Sequence, residues 1–264
     1  MNTLKSAILT FVVLLTVGCS TVPITGRRQL SLVSDQEVMT MSFQAYDDLM
    51  KKSKLSSNSS QTAMVKRVGQ RIQGAVESFM RQQGASDQLA GYQWEFNLIQ
   101  DDTQQNAFAM AGGKTAVYTG LLPITKDETG LAVVMGHEIA HAIAKHSNER
   151  ISQQVAAQGV GTSLGALGTG ASAQIINTAY GIGAGVGLMK FGRTQESEAD
   201  RLGLIFMAMA GYNPEGAVSF WQRMAAASNG QSPPEFLSTH PSNETRISDI
   251  QKHMPEAKKY YNAR

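Results

Sequence analysis

The run LAVVMGHEIAHAIAK, residues 131–145, decides how the rest of this chain is read. Leu131, Val134, Met135, Ile139 and Ala142 recur at helical spacing, so the segment is expected to be a helix ending near Lys145. Its start is expected at Thr125-Lys126-Asp127-Glu128, which has the form of a capping box. Three polar side chains, His137, Glu138 and His141, interrupt this apolar helix, and burying such a cluster without a task would be costly. His137 and His141 are four residues apart and project from one face, so both imidazoles can reach a single Zn²⁺ at about 2.0–2.1 Å. Glu138 is rotated by about 100° and cannot be an equal third ligand. It is placed instead to take a proton from a water at the metal and to pass it to a leaving amine.

The third ligand has to come from elsewhere. A metzincin would carry Gly three residues after the second His and another His three further on, but Ala144 and Ser147 stand there. His146 falls on another side of the helix and reads as a surface histidine. The segment Glu196-Ser197-Glu198-Ala199-Asp200 is the best source. On a helix Glu196 and Asp200 share a face, whereas Glu198 lies roughly 200° away. Glu196 can complete a set of two histidines and a carboxylate, and Asp200 can accept the spare N–H of a ligand histidine and so fix its tautomer. Taken alone, such an acidic cluster also suits a solvated helix face.

Composition narrows the remaining choices. The chain has 264 residues, 42% hydrophobic and 17% charged, which excludes a protein built mainly of membrane spans. A net charge of +2 without a basic block gives no expectation of nucleic-acid binding. The single cysteine, Cys19, rules out an intramolecular disulfide and zinc sites made of paired cysteines. Lys5 followed by the apolar run Ala7 to Val17 is shorter than the about 20 residues of a spanning helix and reads as a signal peptide, residues 1–18. Gly18-Cys19 resembles a bacterial lipoprotein cleavage box, with Thr16 where Leu is usual, and Ser20 favours the outer membrane over the inner. Residues 19–33, containing Pro23 and Gly26, are then a lipidated extended tether, and 34–264 form the folded domain.

Within that domain Ser34-Asp35-Gln36-Glu37 predicts a helix over 35–52, and Met64, Val68, Ile72, Val76 and Phe79 mark a second. Tyr92, Trp94, Phe96 and Leu98 alternate as in a half-buried strand, and 106–122 read as two short strands around Gly112-Gly113. Strands are expected only in this region. Further helices are expected over 194–210, from Asn213-Pro214 to 227, and from Ser242 to 254, where Pro255 stops the last. Residues 151–189 carry no charged side chain and are rich in Gly and Ala. Small-residue helices packed over the body suit them better than a membrane hairpin, and their place between the two metal motifs suggests a lid.

His-Glu-x-x-His with a downstream Glu-x-x-Ala-Asp resembles the HtpX and CAAX prenyl protease 1 type of zinc metallopeptidase, family forty-eight of the metallopeptidases, over residues 34–254. Asn106-Ala107-Phe108-Ala109, Gly192-Arg193, and His240-Pro241 with Arg246 resemble further segments of that family. The resemblance implies a zincin-like (gluzincin) α+β fold, mainly α, in one catalytic domain with a small β-sheet beside the active-site helix. It implies one Zn²⁺ per chain held by His137, His141 and Glu196, with Asp200 behind a ligand histidine and Glu138 as the catalytic base. His240 would polarise the developing oxyanion or occupy the open coordination position of a resting form. The strand Gly113, Lys114, Thr115, Ala116 and Val117 would be the edge on which substrate lies extended. Similarity to the periplasmic lipoprotein branch implies a lipid-anchored endopeptidase on the periplasmic side of a bacterial envelope, acting on unfolded or misassembled envelope proteins. Two rival readings are a non-catalytic envelope adaptor with a structural zinc site, and a peptidase with 151–189 inserted in the membrane.

Overall fold

The computed structural model describes residues 19–22, 25–158, 191–228, 236–240 and 245–262. In chain order they form β1 (Cys19–Thr21), β2 (Arg28–Leu30), α1 (Asp35–Lys52), α2 (Ser59–Gln82), β3 (Glu95–Ile99), β4 (Ala107–Ala109), β5 (Lys114–Tyr118) and α3 (Leu122–Thr125). Then follow α4 (Glu128–Ile143), α5 (His146–Gln158), α6 (Arg193–Met209), α7 (Gly216–Ser228), α8 (Phe236–Thr239) and α9 (Arg246–Lys258). The mainly helical α+β architecture is the one expected, with helices around a small sheet.

Local chemistry sets most of the boundaries. Ser34 accepts the N–H of Glu37 and opens α1, as its capping box predicts. The helix that carries the His-Glu pair begins later than Thr125. That residue closes α3, with its hydroxyl on the Leu122 carbonyl, and Lys126 then takes φ 66°. The break makes Asp127 the N-cap, with its carboxylate 2.8 Å from the N–H of Gly130. At the other end of the chain α9 runs through Pro255 rather than stopping there. A proline in the last turn removes one backbone bond, and burial of Ile250, Met254 and Ala257 holds the helix across it. Its N-cap is Thr245; Ser242 lies outside the described residues.

The three-stranded sheet has the order β3-β5-β4, β5 running parallel to β3 and antiparallel to β4. Gly112 and Gly113, at φ 86° and 89°, make the turn between β4 and β5. This order corrects the expectation of a substrate edge at Gly113 to Val117. Gly113 belongs to the turn, and Lys114 to Val117 lie in the central strand, whose backbone groups are taken from both sides. The outer side of β3 is covered where Leu55 bridges Ile99. The remaining edge is β4, which packs on α4.

Strands are also not confined to this sheet. β1 and β2 pair antiparallel, Cys19 opposite Leu30. Residues 25–33 are therefore not a free tether but lie against α5: Leu32 donates its N–H to Ser152 Oγ at 2.9 Å, and Asn148 donates to the Val33 carbonyl at 3.1 Å. α5 takes in 151–158 of the uncharged region; the rest of that region, on which the lid and the membrane hairpin depend, lies outside the described residues. No helix among the described residues is long and apolar enough to cross a membrane.

The centre of the molecule is α4, buried from Gly130 to Ile143 and packed by α2, α6, α7 and β4. Its tightest neighbour is α6. A Cβ on Gly203 would lie 2.9 Å from the backbone nitrogen of His137 and 3.0 Å from the carbonyl carbon of Gly136. The two helices touch backbone to backbone beside the first motif histidine, which only a residue without a side chain permits. Gly203→Ala is expected to push them apart and cost about 1–3 kcal/mol. Thermal unfolding checks this, and an unchanged midpoint would contradict the close crossing.

Candidate metal centre

α4 presents His137 and His141 one turn apart, with their Nε2 atoms 3.0 Å from each other. α6 brings Glu196 to the pair from its first turn: Oε2 lies 3.6 Å from His137 Nε2, and Oε1 lies 3.5 Å from His141 Nε2. His240, just after α8, joins them, and one donor atom from each of the four residues falls within 4.8 Å of the others. All four side chains are buried.

The outer nitrogens of both motif histidines are engaged. His137 Nδ1 is 2.9 Å from Asp200 Oδ1, so it carries the proton and donates. His141 Nδ1 lies 2.8 Å from Nδ1 of His146. Both Nε2 atoms then carry lone pairs, which repel across 3.0 Å unless a cation lies between them. Neither oxygen of Glu196 accepts a hydrogen bond. Arg246 Nη1 is 2.9 Å from Oε2, an ion pair too poorly aligned to be a hydrogen bond. Donors on one tetrahedral ion with bonds of about 2.0–2.1 Å sit roughly 3.3 Å apart, which is the spacing found here. The residues fit a metal ion.

Burial sets their protonation. It lowers His137 to about 4, against the opposing pull of Asp200, and it holds His141 and His240 well below the ordinary histidine value. All three are neutral near pH 7, the form that ligates. Burial pushes Glu196 up to about 8, although Arg246 draws it down. Asp200 is kept low despite its burial by Arg246 and His137. Arg246 Nη2 donates to Asp200 Oδ1 at 2.7 Å, and the guanidinium lies 3.5 Å over the Trp221 ring. Glu138 is raised well above a normal carboxyl, first by burial and then by the Glu196 charge, while the Ala109 N–H from edge strand β4 draws it back. Its Oε1 accepts no hydrogen bond and lies 3.5 Å from His240 Nε2.

The structure thus brings together His137, His141, Glu196, Asp200, Glu138 and His240, all singled out in the sequence. It keeps Lys114 to Val117 in the middle of the sheet, and Cys19 is an exposed free thiol in β1. His146 is not a surface residue: it is fully buried, its Nδ1 on His141 and its Nε2 2.9 Å from Glu198 Oε2. The helical-wheel expectation fails because α4 ends at Ile143 and Lys145 takes φ 58°, which swings His146 back over His141. Glu198 does point away from Glu196, yet it serves the same centre through His146. Sequence reading also gave no task to Arg27, Trp221 or Phe191, the last with its ring centroid 4.0 Å from that of His141. The available signal was a further acid, Glu198, two residues after Glu196, to match a further histidine, His146.

A buried helix with two imidazoles one turn apart, a carboxylate from a second helix and a glutamate beside them together define a metallopeptidase of the His-Glu-x-x-His class. Residues 66–254 match Peptidase family M48, and the chain belongs to that family. It is similar to the mitochondrial metalloendopeptidase OMA1 of Schizosaccharomyces pombe, 37% identical over 89% of this chain and 66% of the relative. The protein of the same name from Saccharomyces cerevisiae is 36% identical over 66% of this chain and 50% of its own length. The beta-barrel assembly-enhancing protease of Yersinia pestis is 35% identical over 59% of this chain and 33% of its own length. The chain therefore spans between a third and two thirds of the length of these relatives. The two with the higher identity are named as mitochondrial. That overturns the placement on the periplasmic side of a bacterial envelope at the outer membrane, which rested on the signal-peptide and cleavage-box reading of residues 1–20 and on the likeness to a periplasmic lipoprotein branch.

With Glu196 protonated up to about pH 8, a metal ion must displace its proton. Titration of metal into metal-free protein at pH 7 is expected to release about one proton, and affinity should fall by up to about tenfold per unit as pH drops below 8. Calorimetry in buffers of different ionisation enthalpy reads both; binding without proton release would contradict a buried, protonated Glu196.

Proposed function

We propose that the chain is a zinc-dependent endopeptidase that cleaves unfolded or misassembled proteins at a membrane. The observation that carries this reading is Glu138, a buried carboxylate with a raised pKa and one oxygen without a hydrogen bond, beside a donor set of two histidines and Glu196. Two imidazoles and a carboxylate with no thiolate suit Zn²⁺. Zinc bound there supplies Lewis-acid polarisation of the scissile carbonyl and of water. Glu138, beside the donor set with its Oε1 free of a hydrogen bond, takes the proton of the attacking water and returns it to the departing amide nitrogen. The Ala109 N–H steadies the carboxylate meanwhile.

Substrate is assigned to β4 rather than to β5. Ala109 lies on the strand bordering Glu138, and an extended peptide paired along that edge is bound through its backbone, with little demand on sequence. Such binding suits unfolded chains. The likeness to a protease named for β-barrel assembly supports the same substrate class.

His240 stands in the donor cluster itself, which favours a resting form whose fourth position it fills. Four protein donors are also what a purely structural site has, the rival adaptor reading. A structural site has no use for a buried glutamate whose Oε1 is left without a hydrogen bond beside the cluster, and on that ground the enzyme is preferred. Casein or an unfolded β-barrel protein incubated with the zinc-loaded chain is expected to be cleaved, and Glu138→Gln should lose about 100-fold or more of the rate with zinc still bound. Equal cleavage by the two would remove the base; no cleavage by either would favour the adaptor. His240→Ala should retain zinc and cleave faster than wild type, whereas a slower rate would give His240 the oxyanion role.

A further inference from the structure

The hydrogen bonds behind His141 continue through two more side chains into the N-terminal hairpin. With His141 Nε2 facing His137 and Glu196, its Nδ1 bears the proton and donates to His146 Nδ1 across 2.8 Å. His146 must then carry its own proton on Nε2, which donates to Glu198 Oε2 at 2.9 Å. The opposite tautomer of His146 would set two N–H groups against each other and turn a lone pair toward a carboxylate. Glu198 therefore selects the tautomer of His146, and His146 that of the metal-site imidazole.

Glu198 is itself held by Arg27, whose Nε lies 2.7 Å from Oε2, and by the Thr25 hydroxyl on Oε1. The fork of the same guanidinium reaches both oxygens of Glu149 at 2.9 Å, and Gln195 Nε2 donates to Glu149 Oε2 at 2.6 Å. Arg27 thus clamps the carboxylates of α5 and α6 together, a two-sided contact that suits a planar, rigid donor. It precedes β2, 39 residues before the segment shared with the family begins at 66. The hairpin that carries it is docked on α5 through Leu32 and Val33.

We propose that Arg27 is a positioning residue of the metal centre: it holds Glu198 against His146, which orients the imidazole of His141. The N-terminal hairpin is on this view a working part of the site. The inference rests on the reading that His137, His141 and Glu196 hold zinc. Loss of a partner behind a ligand histidine lowers metal affinity by about 10–100-fold, and Arg27 stands two contacts further out, so Arg27→Ala is expected at the lower end of that range.

Zinc affinity of the full chain is measured by competition with a chromophoric chelator for wild type, Arg27→Ala, His146→Phe and the double variant, with the Co²⁺ absorption bands as a second readout. Arg27→Ala should bind zinc about tenfold more weakly and shift the Co²⁺ bands. Arg27→Lys, a point charge that satisfies one carboxylate at a time, should recover part of the loss. In the His146→Phe background, removal of Arg27 should cost less than about twofold, because the path to His141 is already cut. Unaltered affinity in Arg27→Ala overturns the proposal, as does an equal further loss in the His146→Phe background, which would make Arg27 a general stabiliser. Arg27→Gln takes the place of Arg27→Ala in the same comparison should the alanine variant fail to fold by circular dichroism. A wild type that binds no zinc sinks the functional reading itself, whereas a zinc-binding wild type matched by Arg27→Ala sinks only the role of Arg27.

Discussion

The contact of Gly136 with Gly203 is the constraint on which the site depends. Donors from two helices can share an ion only if the helix axes are close enough for short side chains to meet. A carboxylate one turn into α6 has little length to spare. With any Cβ at the crossing, Glu196 would withdraw from His137 and His141, and the lone pairs now set against one another would lose their common partner. Backbone contact at one point therefore fixes side-chain geometry a turn or two away.

Around this crossing the charges are arranged so that each buried group answers another. His137 is backed by Asp200, which Arg246 also engages, and Arg246 in turn lies on Trp221 and beside Glu196. His141 is backed by His146, Glu198 and Arg27. The two imidazoles of α4 thus have supports of different kinds, one short and anionic, the other relayed through a second imidazole. Neutral histidines and a carboxyl that releases its proton only near pH 8 describe a site in which the charge of a bound cation is answered largely by proton loss.

Much of this was legible in the residues because it follows from helix geometry alone. His137 with His141, and Glu196 with Asp200, are i,i+4 pairs, and their co-facing needs no knowledge of the fold. The capping of α1 by Ser34 and the turn at Gly112-Gly113 are equally local. Other features depend on contacts that no local pattern encodes. Strand order is one: β4 and β5 read as a hairpin, but the parallel pairing of β3 with β5 puts β5 in the middle and leaves β4 at the edge. His146 was misplaced because Lys145, a residue with no special tendency to positive φ, ends the helix's periodicity. Arg27 reaches a partner 171 residues away, and an apparent linker composition concealed it.

Of the two tryptophans, Trp94 stacks with Phe96 beside the sheet, whereas Trp221 lies under Arg246 with its ring centroid 6.2 Å from that of His137. A guanidinium and an imidazole are both able to change the emission of an indole they touch. One indole of the molecule is therefore built into the charged network beside His137, where any change of charge would act on its emission, and the other is held against Tyr92 and Phe96.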